Sequence, residues 1–333
     1  MTSELRVSRL LLSFVFCIAA SVAVRASPTI ERLDPKLDAI VSGSPAIEPL
    51  YSDTKGFMEG PTWVKGKPGY LIFADIPGNT LYRVDGKNHV SPLLRDIQVG
   101  HDGAFFDAPR GRYMVGPNGT TLAPDGRLVF CVFGGGRIES LDLRNGKRKI
   151  LVAEAEGKPL AHPNDLAFGP GGDLYFTTDP AVYRLHNGKA ERVTENIAPN
   201  GIAFSPDQRL MYTTDDPNRL VVYDVGTDGL LNHQRPFATL AGDIAVGHVD
   251  GVKVDHNGNV FAVGPEGIWI LTPDGRHIGT IHAPVKRFSN LEFGGEHGDL
   301  LFLTAPEGVY RLRLRPRRGA HATPALPAPH GAH

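Results

Sequence analysis

The chain repeats one short pattern six times, and this repeat limits its fold more than any other feature of the sequence. Each copy reads as a polar turn, a short strand, a second turn and a second strand, as in PNGIAFSPDQRLMYTTDD from Pro199. Propeller blades repeat every ~40–50 residues, and one blade cannot bury both of its faces alone. The repeat therefore predicts an all-β fold, a six-bladed β-propeller with four-stranded antiparallel blades. Successive copies are 59, 46, 36, 50 and 40 residues apart and begin at Glu59, Asn118, Asn164, Asn200, Asp250 and Asn290.

Every copy begins with a side chain that carries an oxygen atom, and five of these six residues are followed by Gly or Asp. Glycine lets neighbouring backbones approach closely, although Asn-Gly and Asp-Gly are also ordinary turn signals. The hairpin turns of these units are already supplied by Pro124-Asp125-Gly126, Pro170-Gly171-Gly172, Pro206-Asp207 and His256-Asn257-Gly258. The six leading residues are therefore predicted to form a ring of oxygen ligands at one mouth of a central channel.

Only Glu59 and Asp250 carry charge among these six residues. Two carboxylates close to one axis repel each other unless a cation or a proton compensates. All-oxygen sites suit hard divalent cations, so Ca²⁺ is the first expectation and Mg²⁺ the second. His162 and His248 lie two residues before Asn164 and Asp250, which leaves Zn²⁺ or Mn²⁺ open. A lone histidine is commonly structural, but His162, His248 and His101 are also candidate substrate contacts.

Charge and composition limit the partners of this chain. The 35 basic and 36 acidic residues, with a pI near 6.9, provide no basic field for nucleic acid or anionic lipid. Small molecules are the expected partners, and the protein is expected to be a monomer or a weak oligomer. Cys131 lies in the apolar strand LVFCVF and is predicted to be a buried, unreactive thiol.

The segments that flank the repeats have their own signatures. Residues 1–26 combine Arg6 and Arg9 with the apolar run LLLSFVFCIAASVAV and small residues near Ser27. This pattern predicts a secretory signal peptide and export to the periplasm or the medium, with a retained membrane anchor as the alternative. After cleavage, no membrane association is expected.

The remaining chain divides into three predicted parts. Residues 27–45 are expected to form a linker, and residues 46–314 the catalytic propeller, with a strand at 46–51 that pairs into the last blade and closes the ring. Residues 315–333, rich in Pro, Ala and His, are expected to be a disordered tail. The segment from His101 is expected to be partly an outer strand and partly a loop over the channel mouth, and a further loop is expected around residues 241–248.

Several motifs resemble the gluconolactonase family, which includes senescence marker protein and luciferin-regenerating enzyme. They are EGPTW at Glu59, HPNDLAF around Asn164, PNGIAFSPD around Asn200 and VDGVKVDHNGNVFAVG around Asp250. The likeness runs from about Tyr51 to Leu314 and implies a six-bladed propeller with a divalent metal on its axis. It also implies that Glu59, Asn200 and Asp250 bind the metal, and that Asp250 acts as acid and base. Asn164 is implied to lie beside the metal and to contact substrate or a metal-bound water.

The predicted function is metal-dependent hydrolysis of a lactone, in which the metal polarises the carbonyl and Asp250 accepts a proton from water. No Gly-x-Ser-x-Gly motif of a serine nucleophile is present. The alternatives are a phosphotriesterase or other esterase on the same scaffold, and an exported ligand-binding propeller without catalysis. The chain differs from related sugar lactonases at His162, where they have Arg, and after Pro180, where it lacks their Pro-Tyr-Gly loop. Both differences leave the natural substrate open.

Overall fold

The computed structural model describes residues 29–43, 45–245, 247–282 and 285–316. Two strands come first, β1 (Ile30–Arg32) and β2 (Ile47–Ser52). Blade 1 consists of β3 (Met58–Val64), β4 (Tyr70–Asp75), β5 (Thr80–Val84) and β6 (Val90–Leu94). A hairpin of β7 (Phe105–Asp107) and β8 (Arg112–Met114) follows. Blade 2 consists of β9 (Pro117–Leu122), β10 (Leu128–Val132), β11 (Arg137–Leu141) and β12 (Arg148–Val152).

A short hairpin of β13 (Glu154–Ala155) and β14 (Lys158–Pro159) leads to the remaining blades. Blade 3 consists of β15 (Leu166–Phe168), β16 (Leu174–Thr178), β17 (Ala181–His186) and β18 (Lys189–Arg192). Blade 4 consists of β19 (Pro199–Phe204), β20 (Leu210–Asp215), β21 (Arg219–Val225) and β22 (Leu231–Thr239). Blade 5 consists of β23 (Val252–Val254), β24 (Val260–Gly264), β25 (Gly267–Leu271) and β26 (His277–His282). Blade 6 contains β27 (Asn290–Gly294), β28 (Leu300–Ala305) and β29 (Gly308–Arg313).

The six blades form a closed propeller around a central channel. The innermost strand of each blade contacts that of the next, and β27 of blade 6 returns to β3 of blade 1. β2 is the outer strand of blade 6, where Ile47 lies opposite Leu312 and Ser52 opposite Gly308. These contacts confirm the predicted six-bladed propeller and its closure by an N-terminal strand.

The described residues 29–43 of the predicted linker 27–45 belong to the fold. β1 pairs antiparallel with β26, with Ile30 opposite Ile281, so blade 5 has a fifth strand. A 3-10 turn at Pro35–Ala39 follows, and its Leu37 is fully buried between blades 5 and 6. A three-residue strand is too short to show an alternating pattern, which is why sequence periodicity did not reveal it.

The core is divided into six apolar clusters, each between two adjacent blades. The second strand of a blade sends alternate side chains to its two neighbours. In β10, Leu128 and Phe130 pack towards blade 1, whereas Val129 and Cys131 pack towards blade 3. Because both faces are buried, such strands read as continuous apolar runs. Burial raises the pKa of the Cys131 thiol well above its ordinary value, in agreement with an unreactive role.

The predicted hairpin turns join each inner strand to the second strand of its blade. In three of them an aspartate Oδ1 accepts a backbone N–H two residues later, as in the bond from Arg127 to Asp125. No helix among the described residues is long and apolar enough to span a membrane. The predicted signal peptide and residues 317–333 of the predicted tail lie outside the described residues. Arg315 still belongs to the fold, since its N–H donates to the carbonyl of Ile40 at 2.9 Å.

Candidate functional site

Glycine allows the first residues of the inner strands to meet. A Cβ atom at Gly60 would lie 2.2 Å from the carbonyl oxygen of Asn118, and one at Gly201 would lie 2.5 Å from the carbonyl oxygen of Asp250. Both distances are far shorter than van der Waals contact, so only glycine fits at these positions. A Cβ atom at Gly119 would likewise lie 2.5 Å from the carbonyl oxygen of Asn164, and one at Gly251 would lie 2.1 Å from the side-chain Oδ1 of Asn290.

Hydrogen bonds complete this circuit. Thr177 Oγ1 donates to the carbonyl oxygen of Asn200 at 2.6 Å, which links blade 3 to blade 4. Asn290 Nδ2 donates to Glu59 Oε2 at 3.1 Å, which links blade 6 back to blade 1. The structure thus brings six residues together at one end of the inner strands. We call them the ring: Glu59, Asn118, Asn164, Asn200, Asp250 and Asn290.

Glu59 is the most enclosed carboxylate of the ring, with 3% of its surface exposed. Its Oε2 accepts the N–H of Gly60 at 2.8 Å and the amide of Asn290. Burial raises the pKa of Glu59 to about 7, the Gly60 bond offsets part of this rise, and the negative charge of Asp165 adds to it. The carboxylate is therefore held where a cation would be favourable.

Asp250, on blade 5, is separated from Glu59 by blade 6 and keeps part of its surface open. Burial of its carboxylate raises its pKa well above the usual range, and the charge of Glu59 raises it further. Arg287 acts in the opposite direction. No ion pair to Glu59 or Asp250 forms within the described part of the chain. The two carboxylates thus repel each other, and no described cationic side chain forms an ion pair with either of them.

The remaining ring oxygens fit a hard cation. Asn118 is 3% exposed, and its buried Oδ1 has no hydrogen-bond partner among the described residues. An orphaned buried acceptor is costly unless a donor or a cation satisfies it. Across the described ranges, no cluster of three or more His, Cys, Asp or Glu side chains is arranged to hold a metal. A cation here would therefore need the amide oxygens of Asn118 or Asn200 as well as the two carboxylates.

Three charged residues further along the inner strands were not identified from the sequence. Asp165 is 1% exposed, and its Oδ2 lies 3.6 Å from Lys253 Nζ. Glu292 follows Asn290 by two residues, and burial raises its pKa to about 7, partly offset by the charge of Lys253. We call Asp165, Lys253 and Glu292 the inner cluster. The available signal was a charged residue in an otherwise apolar inner strand, as in Val252-Lys253-Val254.

Two of the predicted histidines lie beside the ring. The imidazole of His162 stacks on Phe133 with 4.8 Å between ring centroids, and its Nε2 is 3.1 Å from the carbonyl oxygen of Gly103. His248 Nδ1 is 2.7 Å from Asp216 Oδ1, and the Asp216 charge contributes to the raised pKa of Asp250. Both histidines therefore border the mouth of the channel, and Asn164 is partly exposed there.

His101 lies in the insertion before blade 2. This insertion forms the β7–β8 hairpin, whereas part of it was expected to be an outer strand of a blade. His101 stacks on Tyr113 with 4.3 Å between ring centroids and is exposed. No hydrogen bond or ion pair joins it to the ring within the described residues. The bond between Gly103 and His162 nevertheless places the insertion on the ring side of the propeller.

Phe57, two residues before Glu59, lies between two guanidinium groups. Arg112 Cζ is 5.7 Å and Arg287 Cζ is 5.3 Å from the centroid of the Phe57 ring. Arg112 also forms an ion pair with Asp107 at 3.2 Å and donates to the carbonyl oxygen of Lys55 at 2.6 Å. These contacts fasten the insertion to blade 1 at the edge of the channel mouth.

A cavity of about 850 Å³ lies elsewhere, near the turns that follow the inner strands of blades 1 and 6. Its lining includes Trp63, Lys65, His256, Phe293 and Glu296, and no ring residue. It offers no paired carboxylates, so its size does not make it the better candidate. The ring, in contrast, combines the carboxylates of Glu59 and Asp250 with the unpartnered Oδ1 of Asn118.

Sequence comparison identifies relatives of this chain. Residues 57–307 match the family described as the SMP-30/Gluconolactonase/LRE-like region. A gluconolactonase from Zymomonas mobilis subsp. mobilis is 32% identical over 315 residues, which cover 86% of this chain and 86% of that protein. A pentonolactonase from Haloferax volcanii is 26% identical over 269 residues, which cover 75% of this chain and 81% of that protein.

A solved structure supports the same relationship. The gluconolactonase from Xanthomonas campestris has a TM-score of 0.74 and 26% sequence identity to this chain. The match covers 87% of this chain and 95% of that one. The family match spans well over half of the sequence, and it includes every residue of the ring. The chain belongs to the SMP-30/gluconolactonase/LRE-like family.

Proposed function

We propose that this protein is a lactonase, a hydrolase that opens a cyclic carboxylic ester with water, and that its substrate is a sugar lactone. The observation that carries the proposal is the pair of carboxylates Glu59 and Asp250, held in one ring without a cation from the described residues. Relatives named gluconolactonase and pentonolactonase support the same chemistry.

Glu59, Asn200 and Asp250 would hold one divalent cation, and the orphaned Oδ1 of Asn118 fits a cation in the same ring. Ca²⁺ is the cation we propose, because all these donors are hard oxygens and no thiolate or imidazole is needed. When bound, the cation polarises the ester carbonyl, stabilises negative charge on its oxygen and makes water more acidic. The raised pKa of Glu59 supports this assignment, since a bound cation can replace the proton that burial favours.

Asp250 would move the proton in the hydrolytic step. The oxygen of a water molecule bonds to the carbonyl carbon, and the carboxylate of Asp250 accepts one proton from that water. The ring C–O bond then breaks, and Asp250 returns the proton to the leaving ring oxygen, which becomes a hydroxyl group. The new carboxylic acid releases its own proton to solvent. Burial raises the pKa of Asp250, and this is the direction that lets a carboxylate accept a proton from water.

Side chains at the mouth would orient the substrate. Asn164 is partly exposed at the ring, and His162 is fixed beside it by Phe133 and by the carbonyl of Gly103. His248 faces Asp216, and His101 lies on the inserted hairpin, so both would meet only the outer part of a bound molecule. We propose Asn164 and His162 as contacts of the lactone itself, and His248 and His101 as contacts at its periphery.

A pH-indicator screen over aldonolactones, aromatic lactones and a paraoxon-like ester tests this function. With Ca²⁺ present, an aldonolactone should release acid, and excess chelator or Asp250→Ala should abolish the signal. Asp125→Asn is the matched control, because this exposed carboxylate lies in a hairpin turn and an asparagine can still accept the Arg127 N–H. Full turnover by Asp250→Ala would contradict the mechanism.

Other outcomes of the same screen would favour other functions. Cleavage of the paraoxon-like ester without any lactone hydrolysis would indicate a phosphotriesterase. Saturable binding of a lactone without acid release would indicate a ligand-binding propeller.

We also propose that the protein acts after export, because residues 1–26 have the composition of a signal peptide. N-terminal sequencing of protein recovered from the periplasm or the medium should begin at Ser27. Recovery of the uncleaved chain in the cytoplasmic fraction would overturn this assignment.

A further inference from the structure

Arg287 is a cation at the channel mouth whose charge the described residues leave unpaired. It lies in the segment that leads into β27, three residues before Asn290 of the ring. Its guanidinium is 5.3 Å from the centroid of the Phe57 ring, and the group is partly exposed. No hydrogen bond or ion pair of its guanidinium is found within the described ranges. Arg287 is nevertheless close enough to Asp250 to lower the pKa of that carboxylate.

The other cations near the channel are already committed to protein partners. Lys253 pairs with Asp165 at 3.6 Å, and Arg112 pairs with Asp107 at 3.2 Å. Arg112 also donates to the backbone carbonyl of Lys55. Arg287 therefore stands apart as a guanidinium that is held in place by an aromatic face while its N–H donors remain available to a ligand.

The chemistry of lactone opening creates a need for such a group. The neutral ester gains negative charge on the carbonyl oxygen during attack, and the product is a carboxylate. Glu59 and Asp250 border the same space and would offset the charge of a bound divalent cation, so a further positive group would help to hold an anion there. A guanidinium binds a carboxylate through two parallel N–H donors and keeps its charge at any working pH.

We propose that Arg287 contacts the substrate directly and stabilises the negative charge that ring opening produces, both on the reacting ester and on the hydroxy-carboxylate product. This inference rests on the proposed lactonase function and adds a residue to it. Phe57 holds the side chain over the mouth, so that the guanidinium meets the acyl end of the lactone beside Asp250. The ligand class is thus a lactone whose opened form presents its carboxylate to Arg287.

Steady-state kinetics of Arg287→Gln and Arg287→Lys test the proposal, with Lys286→Gln as the matched control. Lys286 is the exposed neighbour in the same segment, and its substitution removes the same unit of charge. Arg287→Gln should lower kcat/KM for an aldonolactone by about 10–100-fold, because a hydrogen bond to a charged group is lost. Arg287→Lys should recover part of this loss. Lys286→Gln should change kcat/KM less than twofold relative to the wild type.

Product binding gives a second readout that does not depend on turnover. Calorimetric titration with gluconate, in saturating Ca²⁺, should show binding to the wild type and to Lys286→Gln, and binding at least tenfold weaker to Arg287→Gln. If the role of Arg287 were purely structural, Arg287→Gln would lower the melting temperature without selectively weakening the binding of gluconate.

The outcomes separate the two proposals. Lactone turnover by the wild type with unchanged kinetics and gluconate affinity in Arg287→Gln would overturn this inference and leave the lactonase assignment intact. Absence of turnover together with Arg287-dependent gluconate binding would support the inference and contradict the proposed function. Absence of both turnover and gluconate binding in the wild type would overturn both.

Discussion

The ring and the inner cluster both place carboxylates on the inner strands, but the protein balances their charges differently. In the inner cluster, Lys253 Nζ lies 3.6 Å from Asp165 Oδ2, and the two side chains are 18% and 1% exposed. In the ring, Glu59 has only the N–H donors of Gly60 and Asn290, and burial raises its pKa to about 7. Asp250 has no ion pair among the described residues.

This difference indicates which carboxylates serve the fold and which serve a ligand. A buried carboxylate that has a fixed ammonium partner is complete within the protein. A buried carboxylate without one must hold a proton or take a cation from solution. Asp165 of the inner cluster is therefore expected to be structural, Glu292 is expected to hold its proton, and the ring is expected to depend on what it binds. Substitutions in the two regions should produce different failures.

The largest expected effect is on catalysis. Glu59→Gln and Asp250→Asn should lower kcat/KM for a lactone by about 10²–10⁴-fold, because each removes a carboxylate of the proposed cation site and the second also removes the acid–base group. Asp165→Asn in the inner cluster should stay within tenfold of the wild type. The measurement is acid release at saturating Ca²⁺. Equal losses in all three variants would erase the distinction between the two regions.

The second effect is on folding. Lys253→Met leaves Asp165 buried without its cation and should lower the free energy of unfolding by about 3 kcal/mol near neutral pH. Denaturant titration measures this loss. The double variant Lys253→Met/Asp165→Asn should recover part of it, because the unpaired charge is gone. Additive losses in the double variant would show that the ion pair does not stabilise the fold.

The third effect is a loss of thermal stability when the cation is removed. At a Ca²⁺ concentration one hundred times the dissociation constant, binding stabilises the native state by about 2.7 kcal/mol. Excess chelator should therefore lower the melting temperature by about 5–10 °C. Lys253→Met should keep this shift, whereas Asp250→Asn should lose it. A melting temperature that chelator leaves unchanged in the wild type would mean that the ring binds no cation.

The smallest expected effect concerns pH. The pKa of Glu292 rises from 4.5 to about 7 on folding because of burial, so the folded state holds its proton more tightly than the unfolded state does. The corresponding stabilisation is complete below the unfolded pKa and is lost as pH rises through about 7. Glu292→Gln should thus match the wild type at pH 4 and exceed its stability at pH 6 by about 2 kcal/mol, because one unit of pKa difference corresponds to about 1.4 kcal/mol.

Denaturant titrations at the two pH values, in saturating Ca²⁺, measure this effect. Glu296→Gln is the control, since Glu296 is exposed near the end of the same strand pair. If Glu292→Gln were the less stable protein at pH 6, the charged form of Glu292 would be the one that the fold requires.

Much of the architecture was predictable because the repeat carries its own register. The leading residues of the repeats, from Glu59 to Asn290, mark the start of each inner strand, and the glycines after four of them indicate where strands converge. The hairpin turn at Asp125 was equally readable, because turn residues act over only a few positions.

Other features depended on contacts that a one-dimensional pattern does not contain. In the sequence, Lys253 looks like a solvent-facing lysine in a short strand. Only the closed propeller shows that it faces Asp165 from another blade. Arg287 lies in a loop without any repeat signal. β1 is too short for periodicity, and its pairing with β26 joins residues about 250 positions apart.

The N-terminal strands determine when the site can exist. Blade 5 receives β1 and blade 6 receives β2, both from residues made long before the strands they complete. During synthesis, β1 and β2 cannot pair until β26 and β29 have been made, near the end of the polypeptide. Only then can Asn290 form its hydrogen bond with Glu59. Capture of a cation by the ring would thus report the final step of assembly, and a chain that lacks β2 or β29 would neither close the propeller nor form the cation site.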